Sequence, residues 1–213
     1  MLVIDTTYFG KTFGVMLFRC AYSKQNLLYK FVLKETVALY LEGIRELEEQ
    51  GWEILGIVCD GKRGLIHALH IFPVQMCQFH QTQIITRYLT RRPRLQASRE
   101  LREIVKLLTK TDAASFTYWL EQWHLKWRDF LKEKSFNPET GATFFTHKRL
   151  RSAYFSLRTN LPYLFTCEKY IKLGIPNTTN SIEGFFSHLK EKTRVHRGLK
   201  IKRKIKLIQE LLG

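Results

Sequence analysis

Ile54-Leu-Gly-Ile-Val-Cys-Asp60-Gly61 is an apolar run that ends on an acid and a glycine. A continuous run of this kind is what a strand buried on both faces of a sheet looks like. Upstream of it, Thr36 to Gln50 sets Val37, Leu41, Ile44 and Leu47 on one helical face and stops at Gly51. Before that helix come three strand-like runs, Leu2 to Tyr8, Phe13 to Ala21 and Leu27 to Leu33. Their short, turn-rich links, Gly10-Lys11 among them, predict an antiparallel meander. Downstream, a short helix over Leu65 to Leu69 and a fifth strand over Val74 to Phe79, bounded by Pro73, complete the unit. The expected fold class is α/β, built on a five-stranded mixed sheet.

From Gln81 the periodicity turns helical and the charge heavily basic, with Arg87, Arg91, Arg92, Arg94, Arg99 and Arg102 close together. Pro93 separates two helices. A third, from about Ala113 to Lys134, carries Phe116, Trp119, Trp123, Trp127 and Phe130 at three- and four-residue spacing. That stripe reads as a buried helix face, with base stacking by one Trp as the alternative. Asn137-Pro-Glu-Thr-Gly141 has loop chemistry, and a further helix from about Thr146 to Asn160 is expected to end at Pro162. After the break at Gly174-Ile-Pro-Asn177, Glu183 opens another helix. A basic amphipathic helix, Leu199 to Leu212, puts Ile201, Ile205, Ile208 and Leu212 on one face.

The chain has 213 residues, 45% of them hydrophobic, enough for one core-bearing domain. Its 35 Lys and Arg against 19 Asp and Glu give a formal net charge of +16, a surface that attracts phosphate backbones. Cys20, Cys59, Cys77 and Cys167 form no CxxC pair and no disulfide framework, which fits a reducing compartment. No apolar run approaches the roughly 18 residues of a membrane span, and no signal-peptide pattern precedes Leu2. A soluble intracellular protein is expected.

Three acids stand out. Asp5 lies inside the strand Leu2 to Tyr8, Asp60 ends the run from Ile54, and Glu183 sits at a helix start. Clustered carboxylates repel one another unless a cation neutralises them, so the pattern asks for a divalent metal. Each acid has a plainer reading. Asp60-Gly61 fits a turn, and Asn180-Ser-Ile-Glu183 has the spacing of a capping box. Asp5 could be an edge-strand acid, although an unpaired charge behind Leu-Val-Ile is costly to bury. Cys77 and His80 make half of a structural zinc site, and neither Cys167 nor His188 is a convincing second half.

The order strand–strand–strand–helix–strand, with Asp5 on the first strand and Asp60 on the fourth, resembles the ribonuclease-H-like fold of DDE transposases. Ile4-Asp-Thr-Thr-Tyr-Phe-Gly10, Cys59-Asp-Gly61, Cys77-Gln-Phe-His80 and Asn180-Ser-Ile-Glu-Gly184 look like the Mutator-type bacterial insertion-sequence transposases, in the variant with a zinc-binding N-terminal module. The resemblance covers nearly the whole chain. It implies a ribonuclease-H-like five-stranded mixed sheet in a core at 1–84, a large all-helical insertion at 85–172 before the last catalytic helix, and C-terminal helices at 173–213 that complete the core. It also implies that Asp5, Asp60 and Glu183 hold two Mg²⁺ or Mn²⁺ ions for in-line displacement at phosphorus, and that His80 contacts the scissile phosphate or orients an aspartate. Cys77 is expected in the core.

DNA, as transposon ends and target, is the implied partner, handled by a homodimer or larger assembly in a bacterial cytoplasm, at the nucleoid. The cationic candidates for the DNA backbone are Arg87, Arg91, Arg92, Arg94, Lys190, Lys192, Arg194 and Arg197. Family members carry an end-binding module before the first strand, and here Asp5 follows Met1 closely, so the expectation is a catalytic domain lacking that module. A stand-alone ribonuclease-H-like nuclease and an inactive DNA-binding remnant are the alternatives.

Overall fold

A computed structural model describes residues 1–196 and 198–213. β1 (Leu2–Phe9), β2 (Phe13–Cys20) and β3 (Asn26–Val32) form the expected antiparallel meander. After α1 (Val37–Glu49), β4 (Ile57–Cys59) pairs in parallel with β1, and β5 (Val74–Met76) pairs in parallel with β4, with α2 (Leu65–Ala68) between them. The sheet is mixed and five-stranded, in the order β3-β2-β1-β4-β5.

α1 begins where Thr36 caps it, the hydroxyl accepting the Leu39 amide at 3.3 Å. It stops before Gly51, whose φ of +88° is the left-handed conformation that glycine adopts without strain. Strand alternation then sorts the core into two layers. Leu2, Ile4, Met16, Phe18, Ile57 and Cys59 face α1 and α2, against Tyr40, Ile44, Leu47 and Leu65. Gly43 is required here, because a methyl group at that position would enter the Phe18 ring. On the opposite face Val3, Val15, Leu17 and Val58 meet α8 (Asn180–Val195) and α9 (Ile201–Leu212) through Ile182, Phe186, Leu189 and Ile208. Each fully buried side chain of this size contributes about 1.5–3 kcal/mol, so both helical layers are held firmly to the sheet.

The expected fifth strand stops short of Phe79. β5 ends at Met76, and α3 (Gln78–Leu89) starts at once because the Gln78 amide donates to the Asn177 carbonyl at 3.0 Å. A third core joins α3 to α4 (Gln96–Lys106), α5 (Ala113–Trp127) and α6 (Lys148–Leu164). Of the aromatic stripe, Phe116 and Trp123 are buried, while Trp127 and Phe130 pack at the margin. Indole N–H groups lash α5 to α4, from Trp123 to the Ala97 carbonyl at 3.0 Å and from Trp127 to Glu100 at 2.7 Å.

Three expectations for this region are corrected. The insertion is not all helical, since β6 (Lys134–Phe136) and β7 (Thr143–Phe145) form an antiparallel ribbon. The loop at Asn137 is its turn, closed by Gly141 at a φ of +67° and by the Glu139 amide donating to the Asn137 side chain. α5 ends at Trp127, not near Lys134, because the ribbon claims Lys134 and a 3-10 turn at Phe130–Lys132 leads into it. α6 runs through Pro162 to Leu164. Its end is pinned from outside, the Leu164 carbonyl accepting the Gln75 and Gln78 amides at 2.7 and 2.8 Å, which offsets the backbone bond that proline forfeits. Among the described residues, no helix is long and apolar enough to cross a membrane.

Candidate active site

Leu2 pairs with Ile57 and Val3 with Val58 across the parallel β1–β4 ladder. The ladder stops there, because β4 ends at Cys59, one residue before Asp60, yet Asp60 remains close enough for its charge to be felt at Asp5. Strand alternation gives Asp5 the face of Val3, the side covered by α8. Glu183 lies on α8 one residue beyond Ile182, which is buried on that face. Three acids distant in sequence thus come near enough that Asp60 and Glu183 both act on Asp5.

Each acid has one oxygen engaged. Asp5 Oδ1 accepts the Thr6 amide at 2.8 Å and Asp60 Oδ1 accepts the Lys62 amide at 3.0 Å. Glu183 Oε1 accepts the Thr179 hydroxyl at 2.7 Å. Glu183 therefore closes no capping box. The residue before the helix is Thr179, and its side chain donates to Glu183 instead of capping the backbone. Among the described residues the second oxygen of each acid has no protein partner, and none of these oxygens is fully buried.

The acids sense one another. Burial above all drives the Asp5 carboxyl up to about 7; nearby His80 pulls it down, while Asp60 and Glu183 add to the rise. His80 stands in the first turn of α3, with Nδ1 3.8 Å from Glu183 Oε1 and 3.4 Å from the Thr179 hydroxyl oxygen. Burial disfavours its imidazolium, yet the Cys77 sulfur, Asp5 and Glu183 outweigh that and raise it to about 9. Burial likewise opposes the Cys77 thiolate, but hydrogen bonds from His80 and Thr179 prevail and lower the thiol's pKa.

Among the described residues, the donor group whose ligand atoms lie within 4.8 Å of one another is Cys77, His80 and Glu183. Asp5 and Asp60 stand outside it. Beneath the acids a second network holds β1 in place. The Tyr40 hydroxyl lies 2.8 Å from the Thr6 hydroxyl and donates to Glu35 at 3.0 Å, and Glu35 pairs with Lys62 at 3.4 Å. Burial first, then Glu35, pushes the Tyr40 phenol far above its usual range, so it acts as a neutral donor.

The basic candidates separate into distinct places. Arg87 and Arg149 line a cavity of about 640 Å³ that also touches Gly61, the residue after Asp60, and Arg149 donates to the Arg87 carbonyl at 2.7 Å. Arg92 and Arg94 border another cavity, against the ribbon residues Phe144 and Phe145, and Arg91 is exposed. Lys190, Arg194 and Lys204 line a third of about 460 Å³ with Tyr8 and Thr12. At 100° per residue, Lys190 and Arg194 share Glu183's face of α8 and Lys192 lies on the opposite one. Arg197 lies outside the described residues. None of the others makes an ion pair among the described residues.

Sequence reasoning missed Thr179 and Arg149. Thr179 carries a weak signal, a Thr just ahead of a helix, while Arg149 reaches Arg87 only through packing of α6 on α3.

Compared with known proteins, the chain matches no family model and shows no significant similarity to a curated protein.

Proposed function

We propose that this chain is a metal-dependent DNA strand-cleaving and strand-joining domain, a DDE transposase catalytic domain resembling the Mutator-type insertion-sequence enzymes. The observation that carries the reading is the parallel pairing of β1 with β4 just ahead of Asp5 and Asp60, with α8 and its Glu183 packed over the Val3 face of that sheet. The strand order β3-β2-β1-β4-β5, with its antiparallel meander and two parallel strands, is compatible with the ribonuclease-H-like layout.

What supports Mg²⁺ or Mn²⁺ is the oxygen-only chemistry of Asp5, Asp60 and Glu183, whose ligand atoms stand wider apart than those of Cys77, His80 and Glu183. Among the described residues three carboxylates each keep one oxygen without a protein partner, and burial first, with Asp60 and Glu183 after it, holds the proton on Asp5 up to about 7. Hard cations take oxygen ligands of this kind. Two such ions held by Asp5, Asp60 and Glu183 would activate the attacking oxygen and stabilise the leaving oxygen at phosphorus. The chain supplies the rest. Asp5 and Asp60 are oriented by backbone amides and Glu183 by Thr179. His80, a cation within reach of Glu183, is placed to donate a hydrogen bond to a phosphate oxygen. Arg87 and Arg149, beside Gly61, neutralise the backbone of the strand being cut. A homodimer or larger assembly follows from the need to handle two DNA ends together.

The test is cleavage and strand transfer on labelled DNA carrying the element's own terminal repeats, with Mg²⁺ or Mn²⁺, beside Asp60→Ala. Metal-dependent products that vanish in the variant support the site, and joined products identify a transposase. Cleavage without joining indicates a nuclease. DNA binding without cleavage, even with an N-terminal module supplied, overturns the enzymatic reading.

A further inference from the structure

Cys77 has no part in the chemistry above, yet its surroundings are not those of an inert core thiol. Its sulfur is buried, receives the Thr179 amide at 3.3 Å and lies 3.2 Å from the Thr179 hydroxyl oxygen. That hydroxyl has a single hydrogen, and the shorter contact to Glu183 takes it. His80, three residues on, brings a ring nitrogen to the same side of α3, and Glu183 brings a carboxylate oxygen from the start of α8. The ligand atoms of all three lie within 4.8 Å of one another.

We propose that Cys77, His80 and Glu183 form a site for a thiophilic divalent cation such as Zn²⁺, separate from the oxygen-donor site and in competition with it for Glu183. Around such an ion, sulfur stands at about 2.3 Å and nitrogen and oxygen at about 2.0–2.2 Å. Tetrahedral closure therefore asks the three donors to approach to roughly 3.3–3.6 Å, a shift of about an ångström. His80 and Glu183 have room for it, with side chains 23% and 26% exposed, while Cys77 serves as the fixed anchor.

Thiolate and imidazole donors select zinc-like ions and reject Mg²⁺. Three protein ligands leave a fourth position open. The two sites cannot fill independently, because each draws on the same carboxylate. An ion on Cys77 and His80 takes Glu183 away from Asp5 and Asp60. Zinc at this site is therefore inhibitory, and that last clause alone rests on the DNA-cleaving reading.

Titration of the metal-free protein with Co²⁺ tests the site directly. The expected result is one equivalent bound with a thiolate-to-cobalt charge-transfer band and intense tetrahedral visible bands. Zn²⁺ displaces the cobalt and millimolar-range Mg²⁺ does not. Cys77→Ser abolishes the charge-transfer band. His80→Gln and Glu183→Gln each weaken Co²⁺ by more than about tenfold, since losing even an outer-shell partner costs that much. Asp60→Asn keeps the band, which shows that the variants act locally.

Absence of the band, or its persistence in Cys77→Ser, overturns the proposal. A band with no Mg²⁺-dependent cleavage sinks the DNA-cleaving reading and leaves the zinc site standing. Cleavage that Zn²⁺ does not inhibit, in a protein that shows the band, removes the competition for Glu183.

Discussion

Thr179 and Glu183 are joined across one turn of chain, the threonine hydroxyl donating to Glu183 Oε1 at 2.7 Å while the threonine amide donates to the Cys77 sulfur at 3.3 Å. The position of the third acid is thus set by a residue that is itself fastened to the start of α3. Thr179→Val keeps the volume and removes the hydroxyl. It is expected to lower the metal-dependent cleavage rate roughly tenfold, the equivalent of about 1.4 kcal/mol for a hydrogen bond to a charged group. Thr179→Ser should restore most of it. Single-turnover cleavage of the three proteins at saturating Mg²⁺ decides the point, and an unimpaired Thr179→Val enzyme would show that Glu183 needs no latch.

Asp5 predicts how stability follows pH. Its folded pKa, raised chiefly by burial to about 7, lies above the ordinary 3.8. Its contribution is therefore fully present below 3.8 and is lost as pH rises through 7. Metal-free protein should lose thermal stability as pH rises from about 4 to about 7, and Asp5→Asn should flatten that stretch. His80, raised to about 9, works in the same direction at higher pH and persists in the variant. Because Mg²⁺ binding expels the Asp5 proton, apparent affinity should climb up to tenfold per pH unit below about 7 and then level off. Melting curves in chelator and Mn²⁺ titrations across this range give both readouts.

The face of α8 that carries Glu183 also carries Lys190 and Arg194. At 1.5 Å per residue they stand about 10 and 16 Å along the helix from the acid, a distance spanned by roughly three to five nucleotides of one strand. Lys190→Ala and Arg194→Ala are each expected to weaken DNA binding and reduce the salt slope by about one. Lys192→Ala, on the opposite face, should change neither. Equal effects from all three would mean that the helix attracts DNA only through its net charge.

Gly184 follows Glu183 inside α8, and a methyl group there would meet nothing within 4 Å. A helical glycine costs about 1 kcal/mol relative to alanine, so Gly184→Ala should raise the melting temperature by about 2–4 °C. On the proposed DNA-cleaving function, cleavage is expected to fall if a substrate backbone uses the open space at Gly184. Calorimetry and a cleavage assay on one preparation test both, and a variant both more stable and equally active would show the space to be idle.

The sheet was legible because apolar alternation and continuous apolar runs report strands directly, and Asp5 and Asp60 were legible because they interrupt those runs. Phe79 was misplaced because Val74 to Phe79 reads as one strand until a carbonyl from Asn177, far away in sequence, starts a helix at Gln78. The ribbon Lys134–Phe136 and Thr143–Phe145 was hidden by its short strands, although its turn was recognised. Pro162 misled for a different reason. A proline stops a helix only if nothing else holds the next turn, and here Gln75 and Gln78 do. In the site itself, the role of Thr179 depends on α3 and α8 meeting end to end, which no local spacing encodes.

The parallel pairing of Leu2 with Ile57 and Val3 with Val58 has an evolutionary reading. Length changes in the turn at Asn137 to Gly141, or in the link before Gly56, leave every carboxylate where it is. One residue gained or lost within Ile57–Cys59 reverses the side-chain alternation of β4 and takes Val58 out of the core that α8 covers. Changes of length should therefore be tolerated at the ribbon tip and not within β4.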